Sequence, residues 1–103
     1  AFLWVISTKI ARVLSINCVT VANASLISGV ETACYAEKIN AVVLGLSNGK
    51  LASLVYNPLN NVINISFDIN VSTKAIRSIS YDHATEKIIV VDTEGDVFSI
   101  SNL

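Results

Sequence analysis

Residues 35–54, YAEKINAVVLGLSNGKLASL, return in altered but related form as residues 81–100, YDHATEKIIVVDTEGDVFSI. The offset is 46 residues throughout, and nine of the 20 matched positions are identical or keep their chemical class. The opening tyrosine and the turn glycine, Gly49 in one copy and Gly95 in the other, are identical. Each copy contains an extended run, a turn, an apolar run, a glycine turn and another extended run. The pattern predicts a repeated antiparallel sheet unit.

A period of 46 residues is typical of β-propeller blades, which are four-stranded antiparallel sheets arranged around an axis. We expect an all-β chain with ten strands and no helix. The predicted strands are residues 2–6, 10–14, 18–22, 30–35, 41–46, 50–56, 62–68, 75–81, 87–91 and 97–101.

These strands predict about two and a half four-stranded blades. The first is a partial blade at residues 1–28, the second a full blade at 29–74, and the third a partial blade at 75–103. A propeller closes with roughly four to eight blades. We therefore expect this chain to be part of a larger ring, completed by further blades or by other protein chains. The chain begins with Ala1 rather than methionine, so a fragment or a processed piece is expected.

The second strands of the two later units, residues 41–46 and 87–91, are apolar runs without alternation. Such strands are covered on both faces, here by neighbouring blades. In the first unit, residues 9–14 match residues 50–55 at an offset of 41. This match pairs Ile10 with Leu51 and Ala11 with Ala52, and the shortfall of five residues indicates an insertion around residues 56–60 of the later copy.

Composition limits the partners that the chain can have. Of its 103 residues, 52% are hydrophobic and 15% are charged, and the net charge is -1. No overall field attracts nucleic acid or an anionic membrane. No apolar run approaches the ~18 residues of a membrane-spanning helix, and no signal pattern is present. We expect no nucleic-acid partner, no membrane span, and a cytoplasmic protein in which Cys18 and Cys34 are reduced core thiols.

Short motifs in the later units add a family resemblance. Residues 79–82 end an opening strand in an aromatic residue and a turn, and residues 47–51 and 93–97 form Ser/Thr-x-Gly turns into a third strand. In these features each unit resembles a blade of the WD-repeat type of β-propeller. The Gly-His pair of that family is absent, and Tyr56-Asn57 and Ser101-Asn102 replace its Trp-Asp pair. Other propeller families share the strand order.

The resemblance implies where partners bind. In WD-repeat propellers, the connections between blades line one face of the ring, and partner proteins dock there. The corresponding connections are residues 25–29 and 70–74. Lys74 and Arg77 form a small basic edge here that could pair with an acidic partner, and we expect Lys74, Arg77, Asn48 and Glu94 to bind partner proteins. The alternative is that these are ordinary residues of a solvated surface.

The sequence offers no catalytic set. His83 is the single histidine and lies in a polar turn, so no nucleophile, base and orienter can be assembled. Residues 92–96 place acids around Gly95 as a calcium loop does, but the downstream glutamate is missing and the other copy carries no acid. A hairpin turn with glycine at positive φ accounts for them. Trp4 is expected to pack in the core.

We therefore expect no catalytic residue, no metal and no cofactor. The predicted function is a non-catalytic protein–protein interaction scaffold. Two alternatives stay open. One is a propeller enzyme whose catalytic residues lie in a central channel, mostly outside this segment. The other is a structural subunit of a large assembly.

Overall fold

The computed structural model describes residues 3–7, 9–15, 20–25 and 29–101. Ten strands are present within them: β1 Leu3–Ile6, β2 Ile10–Leu14, β3 Thr20–Ser25, β4 Val30–Ala36, β5 Ala41–Leu46, β6 Lys50–Asn57, β7 Val62–Asn70, β8 Ile76–Asp82, β9 Lys87–Asp92 and β10 Val97–Ile100. The all-β prediction is confirmed. Among the described residues, no helix is long and apolar enough to cross a membrane.

The strand boundaries differ from the predicted ones by at most three residues. The largest shift is at β3, whose predicted start at residues 18–19 lies outside the described residues, as does residue 2 of the first strand. The prediction of no helix is wrong at one place. Glu37–Ile39 forms a single 3-10 turn, which ends at Asn40 in the left-handed conformation with φ 51°.

The ten strands form three antiparallel sheets in chain order, with no crossover between them. The first sheet is β1-β2-β3, the middle sheet is β4-β5-β6-β7, and the third sheet is β8-β9-β10. Strand β4 lies beside β8, and β3 lies beside β7. The sheets are therefore stacked face to face, and the chain is a partial propeller.

Each face of the middle sheet has its own apolar cluster. Val43 and Leu51 pack against the third sheet at Ile76 and Ile88. Val42, Leu44, Leu46 and Leu54 form the other cluster, with Ala11 of the first sheet. All six residues of β5 are buried. The prediction that residues 41–46 are covered on both faces is confirmed.

The same prediction is only half correct for β9. Ile88 and Val90 are buried against the middle sheet, but Ile89 and Val91 are only half-buried. Side chains alternate between the faces of a strand, and no further sheet covers the far side of the third sheet within the described part of this chain. The apolar run alone therefore does not decide how much of β9 is buried.

The first sheet corrects the 41-residue match. That match pairs Ile10 with Leu51, whose side chain packs against the next sheet. Instead Ala11 is fully buried against the middle sheet, while Ile10 is 37% exposed. A match shifted by one residue exchanges the two faces of a strand. The first unit is therefore aligned one residue away from the predicted match.

Gly45 sets the distance between the middle and third sheets. A Cβ atom at this position would lie 2.5 Å from Ile76 Cγ2 and 2.7 Å from Thr32 Cγ2. Real Cβ atoms do not approach other atoms so closely, so only glycine lets β8 pack directly over β5. Val91 occupies the matching position of the third sheet, on its uncovered face.

Candidate functional site

Three connections meet at one end of the middle and third sheets. They are the β5–β6 turn at residues 47–49, the β7–β8 connection at 71–75 and the β9–β10 turn at 93–96. Backbone N–H groups of Val71 and Ser72 both donate to the Gly49 carbonyl, at 3.1 and 3.0 Å. Thr93 N–H donates to the Ala75 carbonyl at 3.0 Å. We call this end of the two sheets the docking edge.

Gly49 is required at the centre of the docking edge for two reasons. Its φ is 83°, a conformation that glycine adopts without steric cost. A Cβ atom here would also lie 1.9 Å from the Ser72 carbonyl oxygen. The β5–β6 turn therefore packs directly on the β7–β8 connection. Gly95 has a similar φ of 86°, but nothing among the described residues lies within 4 Å of its would-be Cβ.

Asp92 organises the β9–β10 turn. Its Oδ1 accepts hydrogen bonds from Glu94 N–H and Asp96 N–H, each at 3.0 Å, and its Oδ2 accepts one from the Ser72 hydroxyl at 2.8 Å. The acids of residues 92–96 thus form a hairpin turn with Gly95 at positive φ, as predicted. No group of three or more potential metal ligands occurs within the described part of the chain.

Two opposing effects set the pKa of Asp92. Burial of the carboxylate raises its pKa, but the Ser72 hydroxyl and the backbone N–H groups of the turn stabilise the charged form and outweigh burial. The net result is a pKa below the usual value for aspartate. The carboxylate therefore stays charged and keeps the turn attached to the β7–β8 connection.

The structure brings three of the four predicted binding residues to the docking edge. Lys74 Nζ lies 3.6 Å from Glu94 Oε1, and both side chains are about half exposed. Asn48 Oδ1 accepts a hydrogen bond from Lys50 N–H at 3.1 Å. Asn48 also lines an open cleft of about 470 Å³, together with residues 70–73. Arg77 is exposed on β8, and no ion pair joins it to another described residue.

The opposite end of the sheets carries His83. Its Nδ1 lies 3.0 Å from Glu37 Oε2, and the two side chains are largely exposed. Lys38 Nζ forms an ion pair with Glu86 Oε2 at 3.5 Å. Both pairs join the β4–β5 hairpin to the β8–β9 hairpin. His83 thus contributes to contact between two sheets, in an exposed turn as predicted.

Cys34 is a free thiol that is half-buried against the third sheet. Burial raises its pKa to about 11, because a thiolate loses hydration there. The thiol is therefore neutral at physiological pH, and a neutral thiol is a weak nucleophile. The other predicted core thiol, Cys18, lies outside the described residues.

Sequence reasoning missed the contact between Ser72 and Asp92. The two residues are 20 positions apart, with Ser72 in the β7–β8 connection and Asp92 at the end of β9, so no local motif joins them. A signal existed in the repeat itself. Asp92 matches Leu46 at the 46-residue offset, and an apolar residue replaced by an acid at the end of a buried strand indicates a polar partner.

Comparisons with known proteins report on the fold. No protein-family model matches the chain, and neither does any curated protein. A chain of the solved structure described as "COPII on membranes, outer coat vertex" superposes with a TM-score of 0.70 at 13% identity, over 97% of this chain and 33% of its own length.

A second solved structure, "The structure of the COPII coat assembled on membranes", gives the same TM-score of 0.70 and 13% identity. The match covers 97% of this chain and 18% of that chain. The present chain thus spans a third of one solved chain and less than a fifth of the other. Similarity at this identity shows a shared β-propeller-like fold.

Proposed function

We propose that this chain is a non-catalytic protein–protein interaction scaffold, a segment of a WD-repeat-type β-propeller that binds partner proteins at the docking edge. The observation that carries this proposal is the convergence of three separate connections on one polar edge, held in place by Gly49 and Asp92. Rigidly supported loops are where propellers and other scaffolds place their binding residues. Lys74, Glu94, Asn48 and Arg77 are the proposed contact residues.

The repeat boundaries form part of the proposal. We assign blades to residues 1–28, 29–74 and 75–103, and expect further blades on the outer faces of the first and third sheets. On the third sheet, Val97 is 66% exposed beside the half-buried Val91. On the first sheet, Leu3, Val5 and Ile10 are exposed. Apolar faces of this kind support a ring completed by other blades, in the same chain or a partner.

A structural role within a large assembly is the second candidate. It is supported by the two solved neighbours, whose descriptions name a coat assembled on membranes and its outer vertex. In that case the outer sheet faces, rather than the docking edge, carry the main contacts. Both roles are non-catalytic, and we propose a cytoplasmic location for either.

Site-specific cross-linking tests the docking edge. A photo-reactive residue is introduced at Lys74 and, in a separate variant, at Lys87, which is exposed at the opposite end of the third sheet. We expect protein adducts from position 74 and not from position 87. The double variant Lys74→Glu with Arg77→Glu should abolish the adduct of a cross-linker placed at Asn48, whereas Lys87→Glu should leave it unchanged. Equal adducts at both ends would contradict the proposed edge.

Expression of the chain distinguishes the two candidates. A structural subunit is expected to be insoluble alone and soluble when co-expressed with the blades that cover its outer faces. For a docking scaffold, substitutions at Lys74 and Arg77 weaken partner binding with no effect on solubility. Loss of partner binding only when Val5 or Val97 is changed to a charged residue would favour the structural subunit.

A further inference from the structure

An aromatic pocket lies at the end of the sheets opposite the docking edge. We define the aromatic pocket as Trp4 of β1, Tyr35 of β4, Asn40, Tyr56 of β6 and Pro58, which enclose an open cavity of about 520 Å³. Three aromatic rings thus come from three different strands in two sheets. The volume is within the usual range of about 300–1,000 Å³ for ligand pockets.

Hydrogen bonds fix the two tyrosine rings in place. Tyr35 OH donates to Asn40 Oδ1, and Tyr56 OH donates to Asn61 Oδ1 at 2.6 Å. Both asparagines follow their tyrosine by five residues and adopt positive φ, at 51° and 56°. Each tyrosine ring is therefore held by an asparagine at the same position of the turn that follows it. Walls that are already ordered lose little conformational entropy when a ligand binds.

The lining of the pocket determines the charge of its occupant. None of its five residues is charged, so the pocket suits a neutral ligand. Asn40 Oδ1 accepts the hydrogen bond from Tyr35, while the side-chain nitrogen Nδ2 of Asn40 and the indole Nε1 of Trp4 have no hydrogen-bond acceptor among the described residues. Both nitrogens are donors. Among the described residues, the pocket thus combines aromatic faces with unused donors, and no carboxylate that would attract a cation lines it.

We infer that the aromatic pocket binds a proline-rich segment of a partner protein in the polyproline II conformation. A proline tract offers carbonyl acceptors and no N–H donors, which complements the two donors that lack an acceptor in the described part of the chain. Its rings pack on aromatic side chains, and aromatic-lined grooves are the general recognition mode for such segments. A cavity of 520 Å³ is about 8 Å across, close to the length of about 9 Å for one three-residue polyproline II turn.

Trp4 supplies a direct measurement of binding. It is the single tryptophan of the chain and forms one wall of the pocket. The full chain is titrated with an acetylated and amidated decaproline peptide, and the tryptophan fluorescence is followed. We expect a saturable change with decaproline and none with an uncharged Gly-Ser peptide of the same length. No saturable change, or the same change with both peptides, overturns the inference.

Variants show whether the pocket is responsible. Tyr56→Ala and Tyr35→Ala should each weaken decaproline binding by at least about tenfold, as expected for an aromatic anchor. Leu59→Ala is the matched control, because Leu59 is adjacent to Pro58, 95% exposed and not part of the lining. Its affinity should stay within about twofold of the original. Equal losses in all three variants would contradict a specific pocket.

A conservative variant and a resonance of the unmodified chain test the pocket even if the alanine variants unfold. Tyr56→Phe retains the ring and loses the hydrogen bond to Asn61, so the fold should persist while affinity falls several-fold. The side-chain amide resonance of Asn40 should shift with decaproline in the unmodified chain. Tighter binding of a trimethyl-lysine peptide than of decaproline would identify a cation cage and overturn the inference. Lys74→Glu should leave decaproline binding unchanged, because the docking edge is a separate site.

Discussion

The middle and third sheets are built from the same 46-residue unit, but they differ in how many of their apolar side chains are buried. Strand β5 is buried at all six positions, with Val43 on one face and Leu44 on the other. Strand β9 is buried at Ile88 and Val90 but only half-buried at Ile89 and Val91. Both strands are apolar runs. The difference therefore comes from neighbours rather than from local sequence.

The comparison shows what a blade contributes to a propeller. A sheet with one neighbour buries half of its apolar side chains, and a sheet with two neighbours buries nearly all of them. Since burial stabilises by about 25 cal/mol per Å² of apolar surface, a blade at the end of a row is less stable than a blade within it. The third sheet is thus expected to unfold locally before the middle sheet.

The largest contrast is expected at the two turn glycines. Gly49→Ala places a methyl group on the Ser72 carbonyl at positive φ, and strain with overpacking costs about 2–6 kcal/mol. Gly95→Ala meets no described atom within 4 Å and costs only the conformational strain of about 1–3 kcal/mol. Urea unfolding of both variants checks the difference. Equal costs would mean that the β5–β6 turn does not pack on the β7–β8 connection.

Thiol reactivity compares the same position in the two sheets. Cys34 matches Ser80, which is exposed on the third sheet. A pKa of about 11 at Cys34, against about 8.5 for a free thiol, lowers the thiolate fraction at pH 8 by on the order of 100-fold. A variant that combines Ser80→Cys with Cys34→Ala should therefore be alkylated far faster at position 80 than the original chain is at Cys34. Mass spectrometry of the alkylated peptides measures both rates, and equal rates would mean that Cys34 is not shielded.

Two valines on equivalent faces of the middle and third sheets compare a covered face with an uncovered one. Val43 is fully buried between the middle and third sheets, whereas Val91 is half-buried on the uncovered face of the third sheet. Val43→Ala should cost about 2 kcal/mol of unfolding free energy, and Val91→Ala less than about 1 kcal/mol. In a complete ring the cost at Val91 should rise toward that at Val43. Equal costs in this chain alone would show that another surface already covers the third sheet.

The smallest effect on the free energy of unfolding is expected when the pH is lowered. The pKa of Asp92 is lowered in the folded state, so its contribution to stability is present above the unfolded pKa of about 3.9 and is lost as the pH falls through the folded value. Leu46, its match in the middle sheet, cannot titrate. Asp92→Asn should therefore lose less stability than the original chain as the pH falls below ~4.

Asp82 serves as the control for that measurement. Its pKa is also lowered, first by the Thr85 hydroxyl and then by the Ala84 N–H, but it lies in the β8–β9 hairpin at the other end of the sheet. Asp82→Asn should leave the acid sensitivity of the β9–β10 turn intact. Amide exchange at Glu94 and Asp96 distinguishes the two variants, because their N–H groups donate to Asp92.

The sequence predicted the positions of the strands better than it predicted which of their side chains are buried. The repeat and the glycine turns located all ten strands, because turn chemistry and β-branched runs are local signals. The 41-residue match placed β2 one residue out of register, because a shift of one residue changes a sequence match little but exchanges the faces of Ile10 and Ala11. The burial of β9 was overestimated because coverage depends on sheets that the run itself does not encode.

The candidate sites divide in the same way. Lys74, Glu94 and Asn48 were predicted as partner-binding residues, and the structure brings them to one end of the sheets. The aromatic pocket was not predicted, since Trp4, Tyr35 and Tyr56 are far apart in sequence and each has an ordinary place in a strand. Only the stacking of two sheets assembles them.

The central claim is that the outer faces of the first and third sheets require further sheets. Light scattering on the purified chain as a function of concentration tests it most directly. We predict a mass above the 11.0 kDa of one chain that rises with concentration, and a return toward one chain when Val5 and Val97 are changed to lysine. A single 11.0 kDa species that unfolds cooperatively at every concentration would contradict the account.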